Sequence, residues 1–242
     1  MSTDLSSALP GTAHDLSARR SPLHERLAPL ATAWQELHGY RVCMRVRHAH
    51  AAAAPWLADL SHLPRIGFKG RATSAWLASQ GLSLPAAPNQ WRRDVSGTVV
   101  ARLAAQDFLI TEDLDGAAGV AQTLGERWHS APPRGVYLLP RQHGLVTIAL
   151  GGAAANDVLA RLCAVDLGLT AFAEHAIAQT QVALSSAIVM RASGAKGAGY
   201  RLLVDTSLAL YLWDVLHDVV AALGGGVLGV AQVPRQHGHQ GS

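Results

Sequence analysis

The run DLSHLPRIGFKGRATSAWLASQ, Asp59 to Gln80, carries three kinds of local signal in one stretch. It opens as a polar turn. Ile66 and Phe68 then alternate with Arg65, Gly67 and Lys69, the period of a half-buried strand. Gly70 interrupts, Trp76 and Leu77 begin an apolar stripe over Ala72 to Gln80, and Gly81 stops the helix this stripe predicts. The same order returns at LVTIALGGAAANDVLARLC, Leu145 to Cys163. There Val146, Ile148 and Leu150 give the strand, Gly151-Gly152 the break, and Val158, Leu159 and Leu162 the buried helix face. The chain therefore reads as one unit used twice, with Trp76 and Val158 or Leu159 expected in matching core positions.

Working outward, residues 1–22 are rich in Ser, Ala and polar side chains without a sustained period, and are expected to be disordered. Leu23, Leu27, Leu30, Trp34 and Leu37 recur at helical spacing around Pro29, which predicts a kinked or restarted helix. Val42, Met44 and Val46 alternate with Cys43, Arg45 and Arg47 as an amphipathic strand. Pro85, Pro88 and Asn89 make Leu82 to Trp91 a loop. Thr98–Leu103 and Phe108–Thr111 read as a hairpin and Gly116–Trp128 as a helix. The second half adds strands at Val136–Leu139, Gln179–Leu184, Ala187–Arg191 and Tyr200–Val204, with a hairpin loop at SGAKGAG, Ser193 to Gly199. Asp205 or Thr206 caps a helix bearing Leu208, Leu212, Val215, Val219 and Leu223. The order suits an α+β fold of two ferredoxin-like strand-helix halves, residues 23–133 and 134–223, packed as a pseudo-repeat. A flexible tail is expected over 224–242.

The chain has 242 residues, 49% hydrophobic and only 15% charged, a balance that suits a globular protein with one face covered by a partner. The net charge of +3 and its scattered Arg/Lys pairs argue against a nucleic-acid groove. Leu208–Leu223 is broken by Asp214, His217 and Asp218 and does not read as a membrane span. Cys43 and Cys163 are far apart inside elements, as thiols of a reducing compartment are, and a cytoplasmic location is expected. No signal peptide is readable.

Of the 12 histidines, His48-x-His50 and His237-x-His239 have the spacing of two metal ligands each but lack a third and fourth. His129, His143, His175 and His217 sit near element ends and are read as solvated. No G-x-S-x-G marks a nucleophile, and SGAKGAG lacks the P-loop pattern.

Asp59-Leu-Ser-His-Leu-Pro-Arg-Ile-Gly-Phe-Lys-Gly resembles the D-[LV]-S-H-x-x-R-[IV]-x-[VL]-x-G segment of the glycine cleavage T-protein, a tetrahydrofolate-dependent aminomethyltransferase. Ile148 to Leu159 resembles that superfamily's L-x-G-P-x-A-x-x-V-L segment. Gly199-Tyr-Arg-Leu-Leu-Val and Tyr211-Leu-Trp-Asp-Val-Leu resemble its G-[FY]-E-[IL]-x-[VF] strand and L-W-[DE]-x-L helix. Within the superfamily the similarity is greatest to the gamma subunit family of heterotetrameric sarcosine oxidase, through Pro64–Gly70, Gly81–Asn89 and Val100–Leu103.

This resemblance implies a T-protein folate-binding-like fold without the C-terminal barrel domain. It also implies a structural, docking role in a complex that converts sarcosine to glycine, with FAD, FMN, NAD and tetrahydrofolate held by other subunits and none assigned to this chain. A stand-alone one-carbon transferase and a subunit acting on another N-methylated amino acid or amine are the rival readings. The T-protein strand carries a pterin-binding glutamate where this chain has Arg201, and Glu112-Asp113-Leu114-Asp115-Gly116 replaces an N-A-[GS]-N turn. Glu112, Asp113, Tyr200 and Arg201 are thus the candidate residues of a vestigial folate pocket, with Arg201 expected to pair with Glu112 or Asp113. No catalytic residue and no metal ligand is assigned.

Overall fold

The computed structural model describes residues 18–47, 54–116, 119–192 and 199–234. In chain order these form β1 (Arg19–Arg20), α1 (His24–Leu27), β2 (Ala31–Leu37), β3 (Tyr40–Val46), β4 (Trp56–Asp59), β5 (Arg65–Lys69) and α2 (Thr73–Ser79). There follow β6 (Gln90–Arg93), β7 (Val99–Ala104), β8 (Asp107–Thr111), α3 (Val120–Ser130), β9 (Tyr137–Leu139) and α4 (Arg141–Gly144). The remaining elements are β10 (Leu145–Gly151), α5 (Ala155–Ala160), β11 (Ile177–Val182), β12 (Ser185–Ala192), β13 (Gly199–Asp205), α6 (Ala209–Ala222) and β14 (Gly226–Val227).

One sheet runs β11-β12-β13-β10-β4-β14, a second runs β6-β7-β8-β5-β9, and β1-β3-β2 form a small third. With β4 set aside, the two large sheets have the same order, and β5-α2-β6-β7-β8-α3-β9 corresponds element by element to β10-α5-β11-β12-β13-α6-β14. Removing the edge strand β6 leaves a split β-α-β-β-α-β unit, as the sequence suggests. One spacing separates Ile66 from Ile148, Phe68 from Leu150, Gly70 from Gly152 and Leu77 from Leu159. Leu77 and Leu159 are both fully buried, whereas Trp76, opposite the buried Val158, is only half-buried and packs against the Phe68 ring.

Strand alternation decides the layers. Phe68, Ile110, Leu77 and Leu124 form a core between the five-stranded sheet and its helices, and Leu150, Leu202, Leu159 and Leu212 form the matching core on the six-stranded sheet. The opposite faces meet through Trp91, Val99, Leu109, Met190 and Leu203. The two sheets therefore stack face to face with helices outside. On the alternating positions, Arg65, Thr147 and Arg201 belong to the inter-sheet layer.

Both repeats turn on glycine. Gly70 has φ +131° and Gly152 φ +97°, and a Cβ would lie 2.3 Å from the Gly135 carbonyl oxygen or 2.2 Å from that of Ala54. Gly70→Ala and Gly152→Ala should each lose at least about 2 kcal/mol, through backbone strain and displacement of a facing strand connection. Urea denaturation midpoints test this; variants within experimental error of the parent would contradict it.

Several expectations change. The helix expected over 23–37 is one turn followed by β2, because Pro29 ends it and His38-Gly39, at φ 52° and 72°, closes a tight hairpin to β3. Gln90 and Trp91, placed at the end of a loop, instead begin the edge strand Gln90–Arg93, in which Trp91 is buried. β9 pairs with β5, so the first repeat continues past residue 133 to Leu139. β4, from the first half, enters the second half's sheet between β10 and β14. Residues 224–234, expected as a flexible tail, place β14 beside β4 and bury Leu228 and Val230. Of the N-terminal segment, Arg19–Arg20 pairs with Tyr40–Arg41. Residues 1–17 lie outside the described residues.

Candidate functional site

The inter-sheet layer contains a polar cleft. β13 alternates, so its neighbours Tyr200 and Arg201 project to opposite faces. Tyr200 is buried among the helix-side residues and its hydroxyl donates to the Leu167 carbonyl at 2.6 Å. Arg201 lies between the sheets, where its Nη2 pairs with Asp113 Oδ1, while Arg93 Nη2 pairs with Oδ2 of the same carboxylate. The Leu114 backbone N–H adds a third donor at 2.7 Å. Asp113 is 8% exposed. Burial pushes its carboxyl pKa up, but the guanidinium groups of Arg201 and Arg93 outweigh this and hold it below the usual aspartate value. Trp91, Val99, Met190 and Ala192 complete the lining.

Of the four candidate residues, the structure brings Asp113 and Arg201 together and separates the other two. Glu112 points to α3, where its Oε1 accepts from the Gly119 and Ala121 backbone N–H groups at 2.9 and 3.3 Å. It satisfies a helix N-terminus. Tyr200 is a core residue. Sequence reasoning missed Arg93, Trp91 and Met190. Within Gln-Trp-Arg-Arg the alternation of exposed Gln90 and Arg92 with buried Trp91 and half-buried Arg93 was the available signal.

The D-L-S-H-x-x-R stretch builds the joint between repeats. Asp59 Oδ1 accepts from the Ser61 N–H at 2.9 Å and from its hydroxyl, and the Ser61 hydroxyl oxygen accepts from the Thr147 N–H at 3.2 Å. Arg65, 4% exposed, donates to the carbonyls of Ser61, Leu63, Arg141, Gln142 and Leu145 and to the Thr147 hydroxyl. Burial lowers its pKa to about 10, leaving it a cation at neutral pH.

Among the described residues no group of three or more His, Cys, Asp or Glu side chains is placed to hold a metal. His48, His50, His237, His239 and residues 193–198 of the glycine-rich stretch lie outside them. His129, His143 and His175 are exposed and His217 is half-buried. Cys43 and Cys163 are free thiols, Cys43 buried and Cys163 half-buried. No helix among the described residues is long and apolar enough to cross a membrane.

The GCVT N-terminal domain model matches residues 93–233, more than half of the chain. The chain belongs to the GCVT N-terminal domain family. An aminomethyltransferase of Parafrankia sp. (strain EAN1pec) is 27% identical over 229 residues, covering 86% of this chain and 60% of that relative. The chain thus spans about 60% of the length of the curated relative. Among solved structures, a chain of heterotetrameric sarcosine oxidase from Corynebacterium sp. U-96 is similar with TM-score 0.66 and 22% identity, over 86% of this chain and 97% of that one. The glycine cleavage system aminomethyltransferase T from Bartonella henselae has TM-score 0.65 and 19% identity, over 89% of this chain and 61% of that one. These likenesses establish the mixed α+β GCVT fold.

Whether this GCVT-family cleft suits tetrahydrofolate is a question of acceptors. A pterin ring presents N–H groups that need a buried acceptor. Arg201 presents donors, and Asp113, the carboxylate lining the cleft among the described residues, has both oxygens engaged by cations. The free volume is about 10 Å³, room for roughly one water molecule. The residues present do not fit the pterin.

Proposed function

We propose that this chain is an accessory, gamma-like subunit of a heterotetrameric sarcosine oxidase-type complex, which oxidatively demethylates sarcosine to glycine. Its role there is structural and docking. The observation that carries this reading is the Arg93–Asp113–Arg201 cluster, which fills with paired charge the place where a folate-dependent relative needs an open acceptor. The similarity to 97% of a sarcosine oxidase chain supports the same reading, as do the partly exposed apolar side chains of Leu208, Leu210 and Tyr211 at the start of α6. FAD, FMN, NAD and tetrahydrofolate belong to other subunits. The alternative of a tetrahydrofolate-dependent aminomethyltransferase draws on the Parafrankia relative. A complex acting on another N-methylated amine keeps the same docking role.

Two measurements test this. Co-expressed with flavoprotein and small zinc-binding subunits, the chain should co-purify with them; a monomer that ignores them would count against the accessory role. Calorimetric titration of the chain with tetrahydrofolate should show no binding tighter than millimolar. A buried pterin donor left unpaired costs about 1–3 kcal/mol, and facing a cation costs more. Micromolar affinity would restore the aminomethyltransferase reading, and Arg201→Glu should gain affinity rather than lose it.

A further inference from the structure

The five-stranded sheet ends at β9, which pairs with β5 on one side only. Among the described residues no backbone group outside β5 bonds to Tyr137, Leu138 or Leu139, so the outer edge of β9 keeps unpaired N–H and C=O groups. At the corresponding edge the six-stranded sheet runs one strand further, with β14 beyond β4. Tyr137 lies opposite Lys69 in the β5–β9 ladder, so both side chains share one face. Leu138, opposite Phe68, takes the other face and packs against the helix-side core.

Three cations gather at this edge. The turn after β5 is locked to the loop before β9: the Ala72 N–H donates to the Gly135 carbonyl at 3.1 Å, and a Cβ on Gly135 would lie 3.2 Å from Cγ of Arg71. Arg71 therefore runs along Gly135, the residue after Arg134, while the Tyr137 ring covers Gly70, 3.0 Å from where a Cβ would stand. Lys69, Arg71, Arg134 and Tyr137 are all exposed, Tyr137 by 65%. Among the described residues none of the three cations has an acidic partner. Asp107, opposite Lys69 in the β5–β8 ladder, pairs with Arg141 at 3.9 Å.

From this juxtaposition we infer that the β9 edge is a docking site for an extended acidic segment of a partner subunit, which adds to the sheet as a sixth strand and sets its carboxylates against Lys69, Arg71 and Arg134. An open strand edge offers main-chain bonds to any extended chain, and the charge beside it selects an acidic one. A strand laid along β9 alternates, so one of its faces meets Lys69 and Tyr137 while the other extends the apolar layer that Leu138 joins. An exposed tyrosine among arginines is the side-chain set enriched where interfaces hold most tightly. The inference rests on the docking role proposed above and names the surface that serves it.

The probe is a capped, fluorescein-labelled hexapeptide that alternates glutamate and valine, titrated into the full chain at low salt and read by fluorescence anisotropy. It should bind with a Kd on the order of 0.1 mM, and its counterpart with lysine in place of glutamate should not bind. Lys69→Glu, Arg71→Glu and Arg134→Glu together should raise the Kd by about tenfold or more, and Tyr137→Ala severalfold. Arg92→Glu, on the strand at the opposite edge of the same sheet, should leave it unchanged. In the complex, amide hydrogen exchange over Tyr137–Leu139 should slow, which side-chain contact alone does not produce. Equal binding of the lysine peptide, tighter binding of a six-nucleotide oligothymidylate, an unchanged Kd in the triple variant, or unaltered exchange at β9 would overturn the assignment. If the triple glutamate variant does not fold, Lys69→Gln, Arg71→Gln and Arg134→Gln together decide, with an expected loss of about threefold or more. Co-expression with flavoprotein and small zinc-binding subunits separates the site from the role. If the parent and the triple variant recover those subunits equally, the site falls and the docking role stands; if the parent binds the peptide yet recovers no subunit, the docking role falls.

Discussion

Arg65→Ala is expected to lower the free energy of unfolding by about 3–5 kcal/mol, among the largest losses available to a single side chain outside the apolar cores. The guanidinium ties β5, in the first repeat, to α4 and β10, in the second, through the carbonyls of Arg141, Gln142 and Leu145 and the Thr147 hydroxyl, and it also holds the Ser61 and Leu63 carbonyls of the loop before β5. Removing it orphans several acceptors at once, each worth about 1–3 kcal/mol where water cannot replace the donor. Partial hydration of the vacated space keeps the total below their sum. Arg65→Met separates packing from hydrogen bonding, since it restores much of the volume and none of the donors. It should recover less than half of the loss, and Arg65→Lys, with three donors on a compact ammonium, somewhat more. In thermal denaturation the alanine variant should melt on the order of 10 °C below the parent. If Arg65→Met matched the parent, the joint would be held by packing and this account of it would be wrong.

Arg65 also shows what the sequence could and could not convey. The period of Ile66 and Phe68, the break at Gly70 and the later return of the same order located β5, α2, β10 and α5. These signals are local, set by backbone sterics and side-chain alternation. The partner of each strand is not local. Gln90 and Trp91 looked like the end of a loop because prolines precede them, and their places come from pairing with β7 and from the Trp91 N–H, which donates to the His175 carbonyl at 2.9 Å. The 224–234 segment looked like tail because its glycines carry no period. Yet a Cβ on Gly225 would lie 1.9 Å from the Pro55 carbonyl oxygen, so its glycine marks a close backbone approach. The polar residues of Asp59–Arg65 were legible as a family signature, but not as a joint. A short motif names residue types, and burial decides whether they touch a ligand or the other half of the chain.

The same reasoning separates the candidate residues. Strand alternation alone sends Tyr200 and Arg201 to opposite faces, so a pair adjacent in sequence could not share one pocket. Likewise Glu112 and Asp113, just past β8, take opposite headings, one to the helix start and one to the cleft. A duplicated sheet packed against itself makes an inter-sheet layer whose polar content is free to differ between relatives while the cores of both repeats persist. Arg93 and Arg201 reach that layer from different repeats, and Asp113 is the charge that makes their approach tolerable.

Asp113→Ala is the second variant expected to act strongly, and its effect should depend on pH in a defined sense. The Asp113 pKa is lowered in the folded protein, where Arg201 and Arg93 outweigh the opposing effect of burial. Unfolded, the carboxyl titrates near its ordinary value of about 3.9. Below that value the unfolded chain binds a proton that the folded chain resists, so stability rises with pH across this window. The contribution is fully present above about pH 4 to 5 and is lost as pH falls through the folded value. At pH 7 the alanine variant leaves two guanidinium groups facing each other in a cleft, and a loss of about 3–5 kcal/mol is expected. Asp94, Asp205 and Asp214 also have lowered pKa values, so the acid limb of the parent's curve is shared. Only the difference between parent and variant isolates Asp113. Urea midpoints at pH 3, 4, 5 and 7 should therefore converge toward low pH and separate toward neutrality, and Arg201→Gln in the Asp113→Ala background should restore part of the loss by removing one of the facing cations. A difference independent of pH would mean that Asp113 contributes by packing alone, and the ion-pair account of the cleft would have to be abandoned.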